Sequence, residues 1–147
     1  MTLVLDAGAL YAQADADEPH HVEVVAVLRN ERGTLVTTEL AVAEADYLIL
    51  QRLGPDVELA FLEDLASGTF TVECLSREDL RRARTVVERY RDLRLGLADA
   101  SLVVLAARHR TTRILTFDER AFRTVTPLDG GAFEILPGRG QSGRRKS

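Results

Sequence analysis

Short apolar runs alternate with longer amphipathic stretches along the chain. Leu3-Val4-Leu5 has no helical period and predicts a buried strand ending at Asp6. A short helix from about Gly8 follows, then a second from Pro19 to Arg32, with Pro19 in its first turn and Gly33 as its stop. Leu35-Val36 predicts a second strand. Thr38 caps a helix running from Glu39 to Leu53, and Gly54 separates it from another over Pro55 to Ala66. Phe70 to Leu75 predicts a third strand. Ser76-Arg77-Glu78-Asp79 has the form of a capping box, opening a helix to about Arg91 whose inner face is Leu80, Ala83, Val87 and Tyr90. Leu97 to His109 is apolar nearly all round and predicts a central helix. Arg113 to Phe117 predicts a strand, Glu119 to Phe122 a short helix, and Phe133 to Leu136 an edge strand.

Short apolar strands separated by helices imply an α/β fold, with a central, mostly parallel sheet flanked by helices on both faces. With 147 residues, the chain fits one such domain. We expect it over residues 1–137, with a flexible basic tail at 138–147. No uncharged apolar run is longer than Ala100 to Ala107, so no membrane span is expected. Met1 to Leu5 runs straight into Asp6 and does not read as a secretory leader. The single cysteine, Cys74, excludes an internal disulfide and fits a reducing cytoplasm; it reads as a small core residue after its strand.

Charge alters the picture. The formal net charge is −4, from 19 basic and 23 acidic residues. Arg139, Arg144, Arg145 and Lys146 all lie in the tail, so the body carries fifteen bases against the same 23 acids, or −8. Bulk charge of that sign argues against broad nucleic-acid binding. It equally fits carboxylates gathered around a cation.

Four acids stand in apolar company. Asp6 and Asp118 each follow a strand, where ligands of open α/β sheets bind. Glu44 shares a helical stripe with Leu40 and Leu48, one turn to either side, which is expected to face the core. Asp99 opens the apolar helix. Singly, each has an ordinary explanation: a helix cap for Asp99, a turn residue for Asp118, a strand-end cap for Asp6, a buried arginine pair for Glu44. Together they point to one acidic cluster, in which like charges demand either protons or a cation. Mg²⁺ or Mn²⁺ takes oxygen ligands and retains waters, one of which can serve as nucleophile. Zinc is disfavoured: one cysteine and His20, His21 and His109 provide no ligand spacing, and His20-His21 reads as solvated surface. There is no Gly-Lys-Ser/Thr loop for a Walker site and no Gly-x-Gly-x-x-Gly turn for a dinucleotide. Phosphoaspartate chemistry needs a lysine nearby, and the only lysine is Lys146.

These residues resemble the PIN-domain nucleases, and more closely the VapC-like toxins of bacterial type II toxin–antitoxin systems. The matching segments are Leu3 to Leu10, Ala43 to Leu48, Gly96 to Leu102 and Ile114 to Phe122, in family order. The resemblance implies a PIN-like three-layer fold and a metal-dependent endoribonuclease acting as the toxin of a toxin–antitoxin pair. Asp6, Glu44, Asp99 and Asp118 would be its catalytic quartet, with Asp6, Asp99 and Asp118 as ligands of Mg²⁺ or Mn²⁺. It also implies an RNA substrate, a cognate antitoxin and a homodimer. Thr116 and Asp92 are possible accessory residues. Arg81, Arg82 and Arg84, on the helix after Ser76, are candidate RNA contacts; a solvated charged face is the alternative. Many relatives carry Ser, Thr or Asn where this chain has Gly8, which removes a polar contact near the acids. Two other readings remain open: an RNA-processing PIN nuclease without an antitoxin, and a catalytically weak PIN domain that regulates by binding RNA or protein.

Overall fold

A computed structural model describes residues Met1 to Gly138. Five parallel strands form one sheet in the order β3-β2-β1-β4-β5: β1 (Thr2–Leu5), β2 (Thr34–Thr38), β3 (Thr71–Glu73), β4 (Arg113–Leu115) and β5 (Glu134–Leu136). The helices are α1 (Ala7–Ala14), α2 (His21–Asn30), α3 (Glu39–Leu53), α4 (Pro55–Ala66), α5 (Arg77–Arg89), α6 (Leu97–Arg108) and α7 (Glu119–Thr124). A single 3₁₀ turn, Arg91–Leu93, joins α5 to α6. The expected α/β architecture is the one observed, and its sheet is wholly parallel among the described residues. The tail beyond Gly138 lies outside the described residues. None of the described helices is long and apolar enough to cross a membrane.

Most helices start where the side-chain chemistry says. Asp6, Thr38 and Asp118 each accept an orphan amide hydrogen at the start of α1, α3 and α7, from Ala9 (2.8 Å), Ala41 (3.2 Å) and Ala121 (3.3 Å). The Ser76–Asp79 capping box is present in both directions. Helix α2 is shorter than expected, and Pro19 lies outside it. At its far end Glu31 leaves the helix to hold Arg113 through two hydrogen bonds (3.1 and 2.7 Å) and Gly33 N–H (2.9 Å). Gly33 itself is dictated by close approach: a Cβ there would lie 1.6 Å from the Met1 carbonyl oxygen.

The core lies on both faces of β1 and β4. Leu3, Val4, Leu5, Ile114 and Leu115 are fully buried, as is the α6 segment Leu102, Val103 and Leu105. Each such side chain contributes about 1.5–3 kcal/mol on burial. The expected central helix is therefore correct.

Two expectations about helix faces, and one about Cys74, need correction. On α3 the buried stripe is Ala41, Ala45 and Ile49, one position away from the Leu40–Glu44–Leu48 stripe, so Glu44 is exposed. On α5, Ala83 and Val86 are buried while Leu80 is 43% exposed. Asp79 takes the inward position there because it pairs with Arg108 of α6. Cys74 is exposed, not a core residue. Strand β3 stops at Glu73 because Arg108 Nη1 captures the Cys74 carbonyl (3.2 Å) and Glu73 (3.1 Å).

Candidate active site

Chain connectivity creates the site. From β1 the chain crosses to β2 and β3 on one side, then returns through α5 and α6 to β4 on the other side of β1. Between the carboxyl ends of β1 and β4 the connections diverge, leaving the crevice where open α/β sheets bind ligands. Asp6 follows β1 directly and Asp118 lies three residues beyond β4, on the two sides of that crevice.

Asp6 is 5% exposed. Its Oδ1 accepts the Ala9 amide (2.8 Å), and its Oδ2 accepts the hydroxyl of Thr116. Thr116 in turn accepts the Asp118 amide (2.9 Å). That amide can only donate, so the hydroxyl hydrogen is free to go to Asp6, and the relay has one direction. A second relay joins α3 to α6. Ala41 N–H donates to Thr38, Thr38 and Ser101 hydroxyls lie 2.8 Å apart, and Ser101 donates to the Ala98 carbonyl (2.5 Å). Both hydroxyls are fully buried. This chain of bonds fixes the first turn of α6, which carries Asp99, against the start of α3, which carries Glu44.

Burial and neighbouring charge act on Asp6 and Asp99. Burial pushes the Asp6 carboxyl up to about 6; hydrogen bonds from Thr116 and Ala9 offset part of the rise, and the charges of Asp118 and Glu44 add to it. Asp99, at the third position of α6 and half-buried, is pushed up to about 7 by burial and then by Asp6, Glu44 and Asp118. Glu44 is exposed, yet its charge acts on both Asp6 and Asp99, and among the described residues no buried ion pair with an arginine holds it. Asp118 is exposed as well. Among the described residues, no three acids already stand as a ready-made metal cage. The donor chemistry nevertheless fits a hard divalent cation: all-oxygen ligands, with a repulsion that positive charge relieves.

Other candidates are placed differently. Asp92 is exposed in the 3₁₀ turn and is not among the charges that raise Asp6 or Asp99. Arg81, Arg82 and Arg84 are exposed on α5, with Arg84 paired to Glu88 (2.9 Å). A Cβ on Gly8 would lie 3.5 Å from Asp6 Oδ1, so a side chain there would rest against the buried carboxylate. The reading of His20 and His21 as solvated surface is corrected. His21 Nδ1 donates to the Ala12 carbonyl (2.8 Å), and His20 stacks on Phe117. Ser101 escaped sequence reasoning, as did the contacts of Thr38 with Ser101 and of His20 with Phe117; a hydroxyl inside the apolar run of α6 was the one available signal. Two concavities of about 370 and 380 Å³ lie near the amino ends of β1 and β4, around Thr111 and Thr112, and contain none of the four acids. Size alone does not make them the better candidates, because the convergent titratable groups are elsewhere.

The PIN domain family profile matches residues 3–126, most of the chain. This chain belongs to the PIN-domain family. Among individual relatives of this PIN domain, Ribonuclease VapC26 of Mycobacterium tuberculosis is 41% identical over 135 residues, covering 92% of this chain and 100% of the relative. The PIN fold recurs in solved structures at lower identity. VapC20 of M. tuberculosis, described as a Sarcin-Ricin loop cleaving toxin, superposes with a TM-score of 0.75 at 15% identity, covering 80% of this chain and 90% of that one. VapBC2 of Rickettsia felis, solved with a DNA fragment from its promoter, gives 0.66 at 13% identity, covering 92% and 98%.

Proposed function

We propose that this PIN domain is a metal-dependent endoribonuclease acting in the cytoplasm as the toxin of a toxin–antitoxin pair. The observation that carries the reading is the mutual repulsion of Asp6 and Asp99 with Glu44 and Asp118 at the crevice between β1 and β4. The likeness to Ribonuclease VapC26 over the whole length of that relative supports an RNA substrate. Asp6, Asp99 and Asp118 would hold Mg²⁺ or Mn²⁺, which when bound supplies Lewis acidity and a water acidic enough to attack a phosphodiester. Thr116 aims Asp6, leaving its outer lone pairs for the cation. Glu44, on the solvent side, orients or deprotonates the attacking water. Arg81, Arg82 and Arg84 take phosphates of the bound strand, positioning RNA without reading its sequence. An antitoxin and a second copy of the chain are its protein partners, consistent with the toxin–antitoxin complexes among the fold's relatives.

The test is cleavage of RNA by the purified protein with Mg²⁺ or Mn²⁺, beside Asp6→Asn and Asp99→Asn. Wild type should cut and both variants should lose most activity. Equal cleavage by all three would refute the site. Gly8 motivates a second reading, a weak nuclease that regulates by binding. RNA retained by wild type without cleavage favours that reading.

A further inference from the structure

Aromatic residues are scarce in this chain: three tyrosines, five phenylalanines and no tryptophan. Phe61, Phe70, Phe122 and Phe133 are buried in the core at 2%, 3%, 1% and 8% exposure. Phe117 differs, being only half-buried. It sits between Thr116, whose hydroxyl holds Asp6, and Asp118. His20 lies flat on it, with ring centroids 3.9 Å apart and planes 14° from parallel.

The stack is held from beneath and from both sides. Phe117 packs against the core cluster. The His20 carbonyl accepts Val24 N–H (3.0 Å), and the neighbouring His21 is tied by its amide to the Glu18 carbonyl (2.9 Å) and by its ring to Ala12. The His20 ring is itself only half-buried, and its enclosed Nδ1 makes no hydrogen bond. Stacking and the anchored backbone therefore hold the ring in place. What the arrangement provides is a rigid aromatic stack on the residue that directly precedes Asp118. Such surfaces are what unpaired RNA bases stack on, because every base offers a π-face and a preordered ring loses little entropy.

We propose that the His20–Phe117 stack is the platform on which a base of single-stranded RNA rests beside the scissile phosphate, making His20 a substrate-positioning residue. The proposal rests on the ribonuclease reading, and the experiment separates the two. Its probe is a short single-stranded RNA carrying 2-aminopurine, assayed with wild type, His20→Ala and His20→Phe in Mg²⁺ or Mn²⁺. His20→Ala should raise KM about tenfold with kcat nearly unchanged, and should abolish the fluorescence quenching that stacking produces. His20→Phe should restore both. An equal metal-induced rise in melting temperature in all three proteins would show that fold and acid cluster are intact.

Unchanged KM and quenching in His20→Ala overturns the platform. So does a His20→Phe protein that melts like wild type yet behaves like His20→Ala. If wild type cuts no RNA but quenches in a His20-dependent way, the base-stacking platform stands as a binding site, while its place beside a scissile phosphate falls with the ribonuclease reading. If it neither cuts nor quenches, both fall.

Discussion

The Thr116 hydroxyl, at the end of β4, donates to the buried carboxylate of Asp6, at the end of β1, while accepting the amide of Asp118 (2.9 Å). One side chain thus couples two acids separated by more than a hundred residues of chain. Thr116→Val keeps the shape and removes the donor. It should leave one Asp6 oxygen and the Asp118 amide without this partner, at about 1–3 kcal/mol of stability. The Asp6 carboxyl should rise further, because this hydrogen bond now holds it down. Thr116→Ser should behave like wild type. Denaturant melts and the pH dependence of cleavage would check both.

Stability of the metal-free protein should fall as pH rises. Asp6 and Asp99 are shifted upward from 3.8, to about 6 and about 7. At these two sites the folded state therefore binds more protons than the unfolded state; Asp15, Glu31, Glu73 and Asp79, held low by their partners, oppose this below about pH 5, so the net loss falls between about pH 5 and pH 7. Melting temperature in EDTA should decline across this window and level off above it. Asp99→Asn should flatten the decline. A curve that rises through the same window would contradict the shifts.

Divalent cations should reverse that loss. A ligand bound only by the folded protein stabilises it by about 2.7 kcal/mol at a hundredfold excess over its Kd. Mn²⁺ or Mg²⁺ should raise the melting temperature more at pH 8 than at pH 5, since the acids must shed protons to coordinate. Asp6→Asn should lose most of the effect. Calorimetric titration at both pH values measures it directly.

Gly8→Ser should be accepted without strain. The added Cβ would lie at ordinary contact distance from Asp6 Oδ1, 3.5 Å, and Gly8 is in a helix. Replacing helical glycine should stabilise α1 by roughly 0.5 kcal/mol. The hydroxyl adds an oxygen beside the carboxylate, so tighter Mn²⁺ binding and faster RNA cleavage are expected. Unaltered metal affinity would show that Gly8 is no defect.

Much of the candidate site was legible because strand ends are easy to read. Asp6 and Asp118 follow short apolar runs, and Asp99 opens an apolar helix; each signal is local. Glu44 was placed in the cluster by a mistaken step. Its stripe with Leu40 and Leu48 is not the buried one, and Glu44 reaches the group from the solvent side. Helical periodicity leaves the rotation of α3 open by one residue; Ala41 and Ala45, small enough for α3 to approach α1 and α6, take the core together with Ile49. Leu80 gave way to Asp79 for a similar reason, an ion pair with a distant helix.

The sequence by itself determined the alternation of strand and helix, most helix starts and the residue types of the acidic quartet, because periodicity and capping depend on near neighbours. Only tertiary structure decided which carboxylates are buried and which hydroxyls hold them. Thr116 meets Asp6, Ser101 meets Thr38 and His20 meets Phe117 across 110, 63 and 97 positions of the chain. Those distances close only when the sheet assembles, and the shifts at Asp6 and Asp99 arise from that closure through burial and shared charge.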